Sequence, residues 1–420
     1  MFFLSLVTSL VAQTHARVYN ENIRTLRVAR EVLVLDEQEP LQISFDEMSH
    51  NVHMYSYTVQ MMNDGMSATP SLNDRMLSSE YLQGFTTKDI TEYEHSMNTS
   101  REYTHYWFEF PNEDMRLTKS GNYRLTIYED GDPDKKVAEV DFCVVEPIVK
   151  IDASVRANTD IEFNGRYQQI DVDVDLTVTG SGLPDMGKPE EYRIVVTQNN
   201  RTDNAVTLDK PTFVEPKRLR YINNKALIFE GGNEYHHFDA FSCFYAGTGI
   251  DRVVHEMGDY HALLFPNEVT EGQYIHEFDS NGRFVVNAER TSDSDTEAEY
   301  MWVHWTLPVE KPFFDGSLYV DGDLFNNTLD LHNRMQYDSD AKCYWLTALV
   351  KQGGYDYQFV FVPKTGERLP IRGDRKTTTQ RVDGSYWQTE NEYTIFVWWR
   401  PFGSRYDRLV GVKTIRSNAL

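Results

Sequence analysis

The chain has 420 residues, 40% hydrophobic and 13% aromatic, which is enough for more than one packed core, since a single core rarely grows beyond roughly 250–300 residues. Its formal net charge of −24 opposes association with phosphate backbones and anionic leaflets, so nucleic acid and peripheral membrane binding are not expected. Three cysteines, Cys143, Cys243 and Cys343, lie in apolar strand-like contexts and read as free thiols rather than a disulfide framework.

Residues 1–12 form an apolar run of signal-peptide length, followed by Thr14-His15-Ala16 as a cleavage pattern. This predicts export with residues 1–16 removed, although no basic flank precedes the run. Later apolar runs all fall short of the roughly 18 residues of a spanning helix, so direct membrane insertion is not expected.

From residue 17 to 147 short alternating segments predict a first β-sandwich, including 41–45 and 54–59. Its clearest block is 103–132. There an aromatic alternating strand runs into a Pro-Asn turn, then Gly121-Asn122-Tyr123 opens a second strand ending at Asp130-Gly131, a strong hairpin dipeptide. Only 74–81 and 88–93 suggest helical turns. A second β-rich set follows over 148–299, closed by the acidic stretch 291–299, which reads as a solvated connection. A third sandwich is expected over 300–420, ending in the strand 393–399. The whole reads as all-β, three consecutive immunoglobulin-like sandwiches, because strands recur near every ten residues with turn signals between them.

Phe110-Pro111-Asn112-Glu113 recurs as Phe265-Pro266-Asn267-Glu268, and Gly-x-Tyr appears at Gly121, Gly258, Gly272, Gly353 and Gly384. In immunoglobulin-like sandwiches a Tyr after such a turn ties its hydroxyl to the backbone, and Tyr123 is the best placed to do so. Trp398-Trp399, on an alternating strand, predict one ring inward and one outward.

Several segments imitate chemistry. The stretch 182–188 has phosphate-loop spacing, but Pro189 stands where a hydroxyl should bind magnesium. His255-Glu256 begins a zinc-protease pattern that Gly258 and Asp259 break, and adjacent His236 and His237 would point to opposite faces. Asp171, Asp173 and Asp175 line the wet face of a strand. Asp293, Asp295 and Glu297 start a calcium-like loop in which Ala298 takes the Gly position and His304 the closing Glu position. Arg372-Gly373-Asp374 is a three-residue coincidence. No catalytic residues, metal ligands or cofactor site are expected, and the chain does not read as an enzyme.

Taken in order, Ile23-Arg24-Thr25-Leu26, the block 103–132, and 142–147 resemble the plug proteins of the type IX secretion system, as do 195–205, 229–234, 281–284, 294–300 and 390–410. The resemblance covers nearly the whole mature chain. It implies a non-catalytic subunit in the periplasm, at the inner face of the outer membrane, that binds and seals the periplasmic opening of the translocon β-barrel alongside other secretion subunits. The third module is similar to glycogen-binding-type sandwiches through 318–327 and 354–360, so the alternative is a periplasmic carbohydrate-binding protein. Thr328 stands where those domains usually carry a Trp, and 363–370 offers none for stacking, so the fold is expected without the glycan site. Tyr81, Phe85, Trp107 and Trp398 are the candidate partner contacts, as aromatic anchors of the kind that concentrate binding energy.

Overall fold

The computed structural model describes residues 15–29, 32–37, 39–63, 71–177, 188–270, 272–364 and 377–417. Residues 1–14 of the expected leader 1–16, most of the phosphate-loop imitation at 182–188, Arg372-Gly373-Asp374, and 365–370 lie outside the described residues. Within them the protein is all-β, and its two α-helices, Ser78–Tyr81 and Ser294–Glu297, are four residues each. The first falls inside the expected helical turn at 74–81. The second expected turn is instead two strands, Thr87–Ile90 and Glu92–His95.

The first large core lies between two sheets. One has the order Ile23–Val28, Leu41–Glu47, Thr104–Phe110, Glu92–His95. Alternation along Leu41–Glu47 and Thr104–Phe110 sends Ile43, Phe45, Tyr106 and Phe108 inward, where they meet Tyr57, Val59, Tyr123 and Leu125 from the opposing sheet. That opposing sheet has ten strands. It runs Arg201–Leu208, Tyr192–Gln198, Glu392–Trp399, Arg408–Arg416, Lys136–Val145, Gly121–Glu129, Tyr55–Met61, Thr87–Ile90, with His15–Val18 and Val32–Val34 also on Lys136–Val145. A single parallel bridge, Val145 to Leu409, joins its two halves.

The far half of that sheet covers the second core, packing Tyr192, Ile194, Tyr393, Ile395, Val397 and Trp399 against Ile170, Val172 and Val174 of the strand Tyr167–Asp175. The third core packs His236–Asp239, Phe284–Val286, Gly316–Asp321 and Gly353–Pro363 against a five-stranded sheet. That sheet has the order Ile250–Glu256, Asp259–Leu264, Tyr300–Pro308, Cys343–Lys351, Gln336–Asp338.

The packing therefore does not divide at Tyr300. Strands from His236 onward already belong to the third core, and the last two strands return to the second. The third core is an insertion between Ile228–Glu230 and Glu392–Trp399 of the second. Alternation in the chain marks strands and their faces but not their partners, and here one partner of Tyr192–Gln198, the strand Glu392–Trp399, lies some two hundred positions away.

The same arrangement corrects the reading of the tryptophan pair. Trp399 enters the second core, stacked 5.9 Å from Tyr192 and donating from Nε1 to Glu191. Trp398, on the opposite face, is also buried, packed with Val32, Cys143, Val145, Val195, Phe396 and Leu409. A sheet with apolar layers on both faces leaves no outward ring.

Candidate partner surface and the junction behind it

The first and third cores meet through a buried polar cluster. Asp46, from the strand Leu41–Glu47, accepts from Lys351 Nζ at 2.6 Å, from Tyr300 Oη at 2.7 Å, and contacts His105 Nδ1 at 2.6 Å. Lys351 Nζ also donates to the Asp295 carbonyl and lies 4.2 Å from the Tyr103 ring centroid. Burial pushes the Asp46 carboxyl up, yet Lys351 and His105 beside it hold it, on balance, below the usual carboxylate range. Burial draws the Lys351 ammonium down, against the pull of Asp46. A charge pair removed from water needs its remaining hydrogen-bonding capacity taken up, and here Tyr300, His105 and the Asp295 carbonyl take up most of it.

Around this cluster Tyr103 Oη donates to the Ala298 carbonyl, Ser100 to Glu299, and Arg101 grips Asp259 through two nitrogens at 2.9 and 2.7 Å. Arg27 pairs with Asp295. The acidic stretch 291–299, expected as a solvated connection, is thus the third core's docking strip. Asp293 caps its short helix, and Thr296 and Ala298 are buried.

The second and third cores are joined in turn. Glu392, on a returning strand of the second core, takes Arg283 of the third. Buried Arg201 lies between Asp203 and Asp321. Burial pushes Asp321 and neighbouring Asp323 up to about 6. With the sheet shared by the first and second cores, each core is fastened to both others.

A cleft of about 740 Å³ opens beside the first junction. Trp107, Glu94 and Glu109 line it from the outward face of the first sheet, and Asp293, Asn326 and Asn327 line it from the third core. Trp107 is 37% exposed and stacks on His105 at 5.6 Å.

Of the four candidate contacts, then, Trp107 lines this cleft and Phe85, 64% exposed, stands just past the strand Leu82–Gly84. Tyr81 and Trp398 are core residues, 5% and 1% exposed. The structure does not bring the four together. Exposed apolar residues that the strand pattern did not single out sit on turns and loops, among them Met257, Phe278 and Phe402. The Met257-Gly258 dipeptide, joining Ile250–Glu256 to Asp259–Leu264, carried a turn signal that would have located the first of these.

The segments that imitate chemistry take structural places. His236 pairs with Asp383, and His237 with Asp356 and Asp239, on opposite faces. His255 lies on a strand, and His261 contacts His304 at 3.0 Å. Asp171 and Asp173 hold Arg156 and Arg220 on the wet face of their strand. Thr328 closes its own turn by donating to the Phe325 carbonyl. Cys143 is buried, Cys243 and Cys343 are half-buried, and all three are free thiols.

Comparison with known proteins adds three findings. Residues 16–146 match the family described as "Type 9 secretion system plug protein 1st domain". No curated protein matches the chain. The crystal structure of a hypothetical protein from Parabacteroides merdae is similar, with a TM-score of 0.88 and 34% identity, over 97% of this chain and 100% of that one.

Proposed function

The chain belongs to the type IX secretion system plug protein family, and from that premise we propose that it binds and seals the periplasmic opening of the outer-membrane translocon barrel without catalysing a reaction. The observation that carries this reading is the family match over the first core, 16–146. The mutual fastening of the cores supports it. A cover over an opening wide enough for protein cargo has to resist deformation, and three cores locked by buried polar contacts deform little, because packed interiors have low compressibility. The proposed location is the periplasm, held to the inner face of the outer membrane through the barrel and its associated subunits.

Deletion of the gene in its host tests the proposal. Type IX cargo is expected to reach the surface still, while sensitivity to antibiotics too large for ordinary porins rises, and the barrel is expected to copurify with the intact protein from detergent-solubilised membranes. Unchanged sensitivity together with no copurifying barrel would refute sealing.

A further inference from the structure

The junction leaves part of the first sheet's outward face uncovered. On the strand Thr104–Phe110 the outward side chains include His105, Trp107 and Glu109. Register places Glu92 directly across from Trp107 on the edge strand Glu92–His95, and Glu94 across from His105. Cross-strand neighbours on one face lie about 4.5–5.5 Å apart and diagonal ones about 7–8 Å. Trp107 is therefore flanked by Glu92, Glu94 and Glu109, all exposed. From behind, its ring is held by stacking on His105, which Asp46 pins.

Elsewhere two tryptophans are capped by cations of the chain itself: Arg101 lies 5.5 Å from the Trp302 ring centroid and Arg408 lies 5.1 Å from that of Trp399. Among the described residues no cation of the chain lies over Trp107. The two arginines lining the adjoining cleft, Arg27 and Arg283, are engaged by Asp295 and Glu392 and do not neutralise the glutamates.

We propose that this face, continuing into the cleft, docks a basic extended segment of a partner protein, with an Arg or Lys side chain lying over Trp107 and paired with Glu92, Glu94 and Glu109. A cation over an indole is attracted by the ring quadrupole, and flanking carboxylates add to the attraction. The same carboxylates on an edge strand repel a second copy of that strand, and they give a neutral ligand no comparable gain. Charge complementarity thus selects a basic partner. The inference concerns the chemistry of one face and stands apart from barrel sealing.

The test is calorimetric titration of the full chain with acetyl-Arg-Ser-Arg-Ser-Arg-amide, with its citrulline counterpart, and with maltoheptaose. The arginine peptide is expected to bind in a salt-dependent manner. Its affinity should fall at least tenfold in Trp107→Ala and at least tenfold in the combined Glu92→Gln, Glu94→Gln, Glu109→Gln variant. Asp130→Asn with Asp132→Asn, on a different turn, should change it less than twofold. The exposed glutamate variant decides the matter even where Trp107→Ala fails to fold. The proposal is overturned if the arginine peptide does not bind, if citrulline binds equally well, or if the Asp130 and Asp132 variant weakens binding as much as the glutamate variant. It is also overturned if maltoheptaose is the ligand that depends on Trp107. A chain that fails this titration and still copurifies with the barrel leaves the sealing role standing.

Discussion

Lys351 and Asp46 stand 305 positions apart and meet at 2.6 Å with both side chains buried. Removing one partner strands the other's charge away from water, so Lys351→Ala is expected to destabilise the protein by about 3–5 kcal/mol, read from urea unfolding. Lys351→Met combined with Asp46→Leu should recover only part of that loss, because an apolar pair strands no charge but leaves His105 and Tyr300 without their carboxylate partner. A Lys351→Ala effect under about 1 kcal/mol would show the cluster to be dispensable.

His237 supplies a different kind of residue effect. Its hydrogen bond to Asp356 and, against some burial, its contact with Asp239 raise its imidazole to about 9. The folded state therefore holds the proton more tightly than the unfolded chain, whose histidine titrates near about 6.5. Its contribution is fully present below pH 6.5 or so and is lost as pH rises through about 9. The melting temperature should fall over that window, and His237→Gln should flatten this part of the profile. A parallel decline in the variant would assign the effect to other groups.

At the scale of elements, the Gly-x-Tyr motif proves informative in two of its five places. Tyr123 Oη donates to the Lys119 carbonyl at 2.8 Å, and Tyr355 Oη donates to the Lys351 carbonyl at 2.6 Å, each four residues back. Each tie fixes the start of a long strand, Gly121–Glu129 or Gly353–Pro363. Tyr123→Phe and Tyr355→Phe are each expected to cost about 1 kcal/mol, the usual net worth of one hydrogen bond. Tyr274 and Tyr386 carry the same motif but bond Glu234 and the distant Gly272 carbonyl, because loops rather than strand starts follow their glycines. The Phe-Pro-Asn-Glu echo is likewise partial. Asn112 and Asn267 both bond a tyrosine hydroxyl, of Tyr57 and Tyr357, while Phe110 is buried and Phe265 exposed. The returning strands carry a further expectation. Truncation before Glu392 should unfold the second core, seen as loss of amide protection along Tyr192–Gln198, since Glu392–Trp399 is its direct neighbour.

For the whole molecule, each core is held to the other two by the shared sheet, the Asp46–Lys351 cluster, and the Glu392–Arg283 and Arg201–Asp321 pairs. Calorimetric unfolding of the intact chain is therefore expected as one dominant transition despite 420 residues. Lys351→Ala should split it into two by loosening the first core from the third. Two well-separated transitions in the unaltered protein would show that the cores are fastened only weakly.

The sequence by itself determined the all-β character, the faces of most strands, the tyrosine tie at Tyr123 and the wet carboxylates at Asp171 and Asp173. Each of these depends on period-two alternation or on a local turn, and such signals act over a few residues. Tertiary structure alone decided that the chain leaves its second core at about residue 235 and returns at 392, that Trp398 is as buried as Trp399, and that an acidic connection becomes a docking strip. It also decided which half of the four aromatic candidates reaches solvent. Strand pairing and the covering of a second face arise from contacts hundreds of positions apart, and no local pattern carries the identity of such a distant partner.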